Sequence, residues 1–305
     1  MTRLTRTMLF VPGARWNMIE KAAASAADAV CLDLEDSVPL EEKAAARSTC
    51  VRAFRTLDFG RRLRMLRING LDTAFAYRDL IDVVEAAGDR LDLVMLPKAG
   101  RPADVLFVET LLRQMGAEHI GIEAQIETAA GFLYAREIAE SSPRLEALIF
   151  GPGDYSASMQ MPSASIGEED GHDALYPGHR WHAVMHTIVA AARANGLRAM
   201  DGPFAAFRDA AGFERSSRIA RALGFDGKQC IHPAQLAAAN AIFGPTAEEI
   251  EHAGRVVAAY EAAAAQGRGA VSLDGRMIDA ANIRMARVTL ERAAQLRGTN
   301  SRETS

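Results

Sequence analysis

Short apolar runs recur along the chain, and each one stops at a polar or charged residue. Val30-Cys31-Leu32-Asp33-Leu34 ends at Glu35-Asp36, and Leu63-Arg64-Met65-Leu66-Arg67-Ile68 ends at Asn69, just after Arg67. Leu93-Val94-Met95-Leu96 runs into Pro97-Lys98, and Ile120-Gly121-Ile122-Glu123-Ala124-Gln125-Ile126 runs into Glu127. Ala147-Leu148-Ile149-Phe150 runs into Gly151-Pro152-Gly153-Asp154. Continuous runs of this length are what parallel strands look like when helices cover both faces of the sheet. Eight strands are expected, at residues 7–11, 29–34, 64–68, 93–96, 120–126, 147–150, 198–200 and 227–231. Between them, segments 16–27, 40–57, 75–87, 102–115, 129–141, 182–195 and 213–223 have helical character. Glu41 and Glu42 open the second of these where the helix dipole favours acids.

Eight strand–helix units predict an α/β fold, a (β/α)8 TIM barrel over residues 1–243. The alternative, an open doubly wound sheet, would carry a G-x-G-x-x-G fingerprint after its first strand. This chain has Val11-Pro12-Gly13-Ala14-Arg15 there. Two segments break the rhythm. Residues 155–181 are rich in Ser, Pro, Gly and charge, and their position after Asp154 predicts a lid over the site. Residues 244–305 form a C-terminal helical extension expected to pack on a neighbouring subunit. There, Gly244-Pro245-Thr246 with Glu248 and Glu249 starts a helix, 270–275 forms a short strand, and 277–297 forms a last helix.

Composition narrows the partners. The chain has 305 residues, with 35 basic and 39 acidic side chains and a net charge of −4, so no general field favours nucleic acid. No stretch approaches the roughly 18 apolar residues that span a bilayer, so no membrane partner is expected. The first ten residues carry too short an apolar run for a signal peptide. Three widely spaced cysteines, Cys31, Cys50 and Cys230, do not make a disulfide framework or a zinc cluster. A reducing cytoplasm fits that usage.

If the strands close one barrel, their C-terminal ends share a rim, where enzymes of this fold place their chemistry. Glu127 and Asp154 end neighbouring strands, five and six. Two carboxylates completed by water are a donor set that suits Mg2+. Each could instead be an acid stabilised at a helix N-terminus. Arg67, inside an apolar run, is either a buried ion pair with a rim carboxylate or a fixed guanidinium that holds an anionic oxygen. Asp33, Glu35 and Asp36 crowd one strand end and need a cation nearby. His182 and His186 have the i, i+4 spacing of a zinc helix but lack its glutamate, and Ser156 and Ser158 lack a G-x-S-x-G elbow. His232, before Pro233, reads as a structural hydrogen bond at a strand end.

Taken together, Val11-Pro12-Gly13, Leu32-Asp33-Leu34-Glu35-Asp36-Ser37-Val38, Arg67-Ile68-Asn69, Leu96-Pro97-Lys98, Gly151-Pro152-Gly153-Asp154-Tyr155 and Ile231-His232-Pro233-Ala234-Gln235 resemble the citrate lyase β-subunit-like family of aldolases and lyases acting on acyl-CoA esters. Tyr176-Pro177-Gly178-His179-Arg180-Trp181-His182 and Asp201-Gly202-Pro203-Phe204 are most similar to the malyl-CoA and β-methylmalyl-CoA lyases. The resemblance implies the barrel, Mg2+ at Glu127 and Asp154, and Arg67 beside the thioester oxygen. It implies Arg15 and Lys21 near the coenzyme A phosphates. It also implies that Ser272-Leu273-Asp274-Gly275 closes the site of an adjacent subunit, with Asp274 as acid/base, in a homo-trimer or dimer of trimers. The expected reaction is Mg2+-dependent cleavage of a carboxylated 3-hydroxyacyl-CoA, such as malyl-CoA, methylmalyl-CoA or citramalyl-CoA, with Glu35 and Asp36 orienting water. Hydrolysis by a malyl-CoA thioesterase, or a citrate lyase β chain working on a carrier-bound citryl group, are the alternatives.

Overall fold

A computed structural model describes all residues except 1, 2, 4, 163, 164, 176–179 and 301–305. By its internal contacts the chain divides into two compact units, Met1–Asn240 and Ala241–Ser305. Among the described residues of the first unit, eight parallel strands close a barrel in sequence order. They are β1 (Thr7–Pro12), β2 (Ala29–Asp33), β3 (Leu63–Arg67), β4 (Leu93–Leu96), β5 (Gly121–Ile126), β6 (Leu145–Phe150), β7 (Arg198–Asp201) and β8 (Gly227–Cys230). The expected (β/α)8 barrel is the fold observed.

Burial explains why the strands read as unbroken apolar runs. All five residues of β2, four of β4 and six of β5 are buried, because the barrel interior takes one face and helices take the other. Met8, Ala29, Cys31, Met65, Leu93, Met95, Ala147, Ile149 and Met200 form one cluster drawn from strands alone, with Phe10 and Leu63 against it. That cluster is the barrel's filling. Methionine suits it, since an unbranched side chain adapts to irregular gaps. Toward the N-terminal end of the strands the filling turns polar. Arg198 on β7 donates to Glu123 of β5 and to Thr5, each at 2.6 Å. Cys31, Cys50 and Cys230 are free and buried.

The helices that cover the strands are α1 (Trp16–Ala23), α2 (Lys43–Thr56), α3 (Ala76–Ala87), α4 (Pro102–Gln114), α5 (Ala129–Leu133), α6 (Ala135–Ala139), α7 (Pro152–Ser158), α8 (His182–Ala194) and α9 (Ala210–Leu223), with α10 (Leu236–Phe243) after β8. Three expectations need correction. The first helix stops at Ala23, well short of residue 27. The expected helix 129–141 breaks at Tyr134 into α5 and α6. The segment after Asp154 is not structureless at its start, because Pro152 at the first helical position begins α7. Farther along the same segment, Arg180 ties the loop to itself through Asp170 at 3.0 Å and Asp173 at 3.2 Å. The motif Tyr176-Pro177-Gly178-His179 lies outside the described residues.

The second unit contains α11 (Ala247–Ala264), a hairpin of β9 (Val271–Leu273) and β10 (Arg276–Ile278), and α12 (Ala280–Asn300). Thr246 and Glu249 cap α11 reciprocally, as the sequence Thr-x-x-Glu predicts. Residues 277 and 278, expected in the last helix, belong to β10 instead. The reason is Asp274-Gly275, both at positive φ (51° and 75°), which turns the chain back as a two-residue hairpin. Val271, Leu273 and Ile278 pack with Ala253, Val256 and Tyr260 of α11 and Ala286 of α12. Among the described residues no helix is long and apolar enough to cross a membrane.

Candidate active site at the C-terminal rim

Because all eight strands run the same way, their C-terminal ends converge, and the charged residues that stop the apolar runs meet there. Asp33, the last residue of β2, stands beside Arg67, the last of β3, in the parallel register. The guanidinium grips Asp33 in a fork, Nε to Oδ1 at 2.6 Å and Nη2 to Oδ2 at 2.7 Å, and its Nη1 lies 2.9 Å from Glu35 Oε2. Asp33 also accepts from the backbone N–H of Glu35 at 2.9 Å and from the Ser37 hydroxyl at 2.5 Å. Burial works to raise the Asp33 pKa, but the Arg67 charge and these hydrogen bonds overcome it and hold the carboxylate ionised. The Arg67 pKa moves the other way, upward: burial opposes its charge, and Asp33 more than compensates. Its guanidinium carbon lies over the Phe10 ring, 5.2 Å from the ring centre.

Both readings of Arg67 therefore have structural content. It is a buried ion pair with Asp33, to which Nε and Nη2 donate, while Nη1 lies close to Glu35 Oε2 without an aligned hydrogen bond and so keeps donors for another anionic oxygen. Arg67→Ala would leave Asp33 buried without its cation and Glu35 with Lys98 alone. We expect it to lower unfolding free energy by roughly 3–5 kcal/mol, read from urea unfolding against wild type.

Glu127 follows β5 and Asp154 sits in the first turn of α7, just beyond β6. Glu127 is 1% exposed. Burial, reinforced by the charges of Glu35 and Asp154, pushes its pKa up to about 8. Gly151 makes room for it. A Cβ there would lie 2.2 Å from Glu127 Oε2 and 2.8 Å from Gln125 Nε2, so only glycine lets the carboxylate take this seat.

Lys98 is the residue the geometry adds. The sequence marks it only as the polar stop after β4. In the structure its backbone N–H donates to Glu127 Oε1 at 2.8 Å, while its ammonium reaches Glu35 Oε1 at 2.5 Å, Asp36 Oδ2 at 3.7 Å and Asp154 Oδ1 at 3.8 Å. Four rim carboxylates thus gather about one lysine. Burial opposes the ammonium's charge, but Glu35 first and then the other acids raise its pKa. Glu35 is raised by its own burial despite Arg67 and Lys98, and its buried Oε2 accepts no aligned hydrogen bond. Lys43 is a second addition. Its ammonium donates to Leu34 O and Glu35 O at 2.7 Å and to Asn69 Oδ1 at 2.6 Å, bracing the loop that carries Glu35. Its position in an Ala-rich helix gave no sequence signal.

The remaining expected residues are placed as follows. Arg15 is exposed at the start of α1, paired with Glu42 at 3.3 Å, and Lys21 is exposed on the last turn of α1. Asp274 lies at the hairpin tip of the second unit, ion-paired with Arg255 at 2.5 Å. His182 and His186 stack on each other, 5.5 Å between ring centres. His232 accepts from Ala234 N–H through Nδ1 and stacks on Phe207.

Among the described residues no three His, Cys, Asp or Glu side chains form a ready metal cage. Mg2+ does not require one, since it commonly takes one or two carboxylates and keeps several waters. Hard oxygens on Glu127 and Asp154, a cluster that already gathers around a positive charge, and a buried unsatisfied Glu35 oxygen all fit such an ion.

Residues 6–233 match the HpcH/HpaI aldolase/citrate lyase family. An L-malyl-CoA/beta-methylmalyl-CoA lyase of Cereibacter sphaeroides is 44% identical, with 96% of each chain covered. A (3S)-malyl-CoA thioesterase of the same organism is 38% identical, with 94% of each chain covered. Among solved structures, protein CitE from Mycobacterium tuberculosis in complex with magnesium, acetoacetate and coenzyme A superposes with a TM-score of 0.76 at 33% identity, covering 94% of this chain and 97% of that one. With most of its length matched on a barrel of this topology, the chain belongs to the HpcH/HpaI aldolase/citrate lyase family and is a carbon–carbon lyase.

Proposed function

We propose that this lyase is Mg2+-dependent and cleaves a carboxylated 3-hydroxyacyl-CoA, of the malyl-CoA, methylmalyl-CoA or citramalyl-CoA type. The products are acetyl-CoA or propionyl-CoA and a 2-oxo acid, glyoxylate or pyruvate. The observation that carries this reading is the gathering of Glu35, Asp36 and Asp154 around the Lys98 ammonium, with Glu127 on the same residue's backbone N–H, beside a locked arginine. The lyase relatives and a structural neighbour solved with magnesium and coenzyme A support it.

Glu127 and Asp154 would hold the ion, and when bound it supplies Lewis acidity toward the substrate's hydroxyl and carboxylate oxygens. Glu35 and Asp36 orient water around it. Loss of the hydroxyl proton to water lets the carbon–carbon bond break, the hydroxyl carbon becoming the 2-oxo carbonyl while the electron pair of the broken bond moves onto the thioester as an enolate. The Nη1 donors of Arg67, which make no aligned hydrogen bond to Glu35, meet that developing charge. They need no reorganisation, because Asp33 already fixes the guanidinium plane; losing one such donor typically costs about 10²–10³ in rate. Asp274, from the tail of a neighbouring subunit in a cytoplasmic trimer or dimer of trimers, delivers a proton to the enolate carbon. Arg15 and Lys21 meet the coenzyme A phosphates.

Thioester hydrolysis is the second reading, favoured by the thioesterase relative. Product analysis separates the two. Purified protein with Mg2+ and a panel of hydroxyacyl-CoA esters is expected to release a 2-oxo acid with an acyl-CoA. Free CoA with the intact hydroxy acid would mean hydrolysis, and inactivity toward every free ester would point to a carrier-bound substrate.

A further inference from the structure

Lys98 has an unusual backbone as well as an unusual environment. It is a non-glycine residue at φ 51° directly after β4, a conformation that β-carbon-bearing residues adopt only under local compulsion. The peptide N–H is pinned to Glu127 Oε1 at 2.8 Å, and the side chain folds back over the rim to three more carboxylates, Glu35, Asp36 and Asp154. Of the four acids, Glu127 is bound through the main chain and the others through the ammonium alone.

That division has a physical consequence for any ion on the same acids. Magnesium binds oxygen at about 2.0–2.1 Å, so an ion on Asp154 Oδ1 would face an ammonium 3.8 Å from that same oxygen. Two positive centres that close repel strongly inside a protein. The lysine stem is long, its side chain is 29% exposed, and its ammonium is free to leave while the Glu127 bond, carried by the main chain, stays in place.

We infer that Lys98 is a resident counter-cation of the metal site: its ammonium holds the acid cluster together in the metal-free protein and is displaced when the divalent ion enters. This rests on the proposed magnesium site and adds a positioning role that sets the ion's affinity. Without Lys98, Glu35, Asp36 and Asp154 would face one another with less compensation, so the metal-free fold weakens and the ion gains more on binding.

The test is calorimetric titration with Mg2+ at fixed ionic strength, together with melting in EDTA and in Mg2+, for wild type, Lys98→Met and Lys98→Arg. Lys98→Met is expected to bind Mg2+ roughly tenfold or more tightly, to melt lower than wild type in EDTA, and to recover most of that loss in Mg2+. Lys98→Arg, keeping the charge, should stay close to wild type. Equal or weaker binding by Lys98→Met, or an equal drop in melting temperature with and without the ion, overturns the inference. A measurement on wild type alone covers the case in which Lys98→Met does not fold. Acylation of the Lys98 amine, followed by peptide mass spectrometry, should speed up on adding Mg2+; no change counts against displacement. Absence of any Mg2+ binding to wild type sinks the metal site itself, and the inference with it, whereas normal wild-type binding with an unaltered Lys98→Met affinity sinks the inference only.

Discussion

Asp154→Asn protein is expected to keep its fold and lose Mg2+-dependent turnover by about 10²–10³-fold or more. Its side chain is 40% exposed at the start of α7 and touches Lys98 only at 3.8 Å, so little of the fold depends on its charge. A thermal melt beside an activity assay checks both halves, and turnover like wild type's would remove Asp154 from the site. Glu127 behaves differently because it is buried. Its proton stays on up to about pH 8 in the folded, metal-free protein, whereas the unfolded chain releases it near the ordinary glutamate value of 4.5. The folded state therefore holds the extra proton between those values. The stability this group contributes is complete below about 4.5 and is lost as pH rises through about 8. Glu35, Asp79 and Glu123, also raised by burial, act in the same direction, while the depressed Asp33 acts in the opposite one. Melting in EDTA should accordingly fall across that window, and Mg2+ should reverse the fall, taking up the site with release of a proton. Glu127→Gln, which has no proton to lose, should flatten the profile.

The barrel was legible because its strands are buried on both sides. An unbroken run such as Leu93-Val94-Met95-Leu96 leaves no polar face to confuse the period, and β4 spans those four residues. Helix ends were less legible, because they depend on local geometry. Nothing in the composition of 129–141 marks the break at Tyr134, and Ala24 ends α1 without a glycine or proline. Asp274-Gly275 carried a hairpin signal that a helical reading of the following residues obscured. At the rim, Glu35, Arg67, Glu127 and Asp154 stood out as charges that stop apolar runs, and the structure brings them together. Lys98 was marked in the same way, as the charge after Pro97, but without a role. A lysine after a strand usually reads as a solvated loop residue, and only the positive φ and the fold-back of its side chain turn it toward the acids. Lys43 was hidden for a related reason: its three acceptors, Leu34 O, Glu35 O and Asn69 Oδ1, are set by the fold and leave no trace in its own segment.

Asp274→Ala is expected to abolish turnover while leaving Mg2+ binding and melting temperature near those of wild type. Its carboxylate is 55% exposed at a two-residue turn, and its ion pair with Arg255 is also solvent-exposed, so its removal costs little stability. A group so placed anchors little of the fold and is suited to carry a proton. If it completes the site of a neighbouring subunit, mixing Asp274→Ala with a second inactive variant should restore activity, because some assemblies then contain one site with both groups intact. Arg67→Ala is a poor choice of second variant, since it strands Asp33 in the interior, takes one of two cations from Glu35 and weakens the fold. Asp154→Asn is the better one, because it disables the ion site without disturbing the Arg67 fork. Exchange of subunits is followed by native mass spectrometry, and activity is measured on the same mixture. Full exchange with no recovered turnover would place the proton donor elsewhere than on a neighbouring chain.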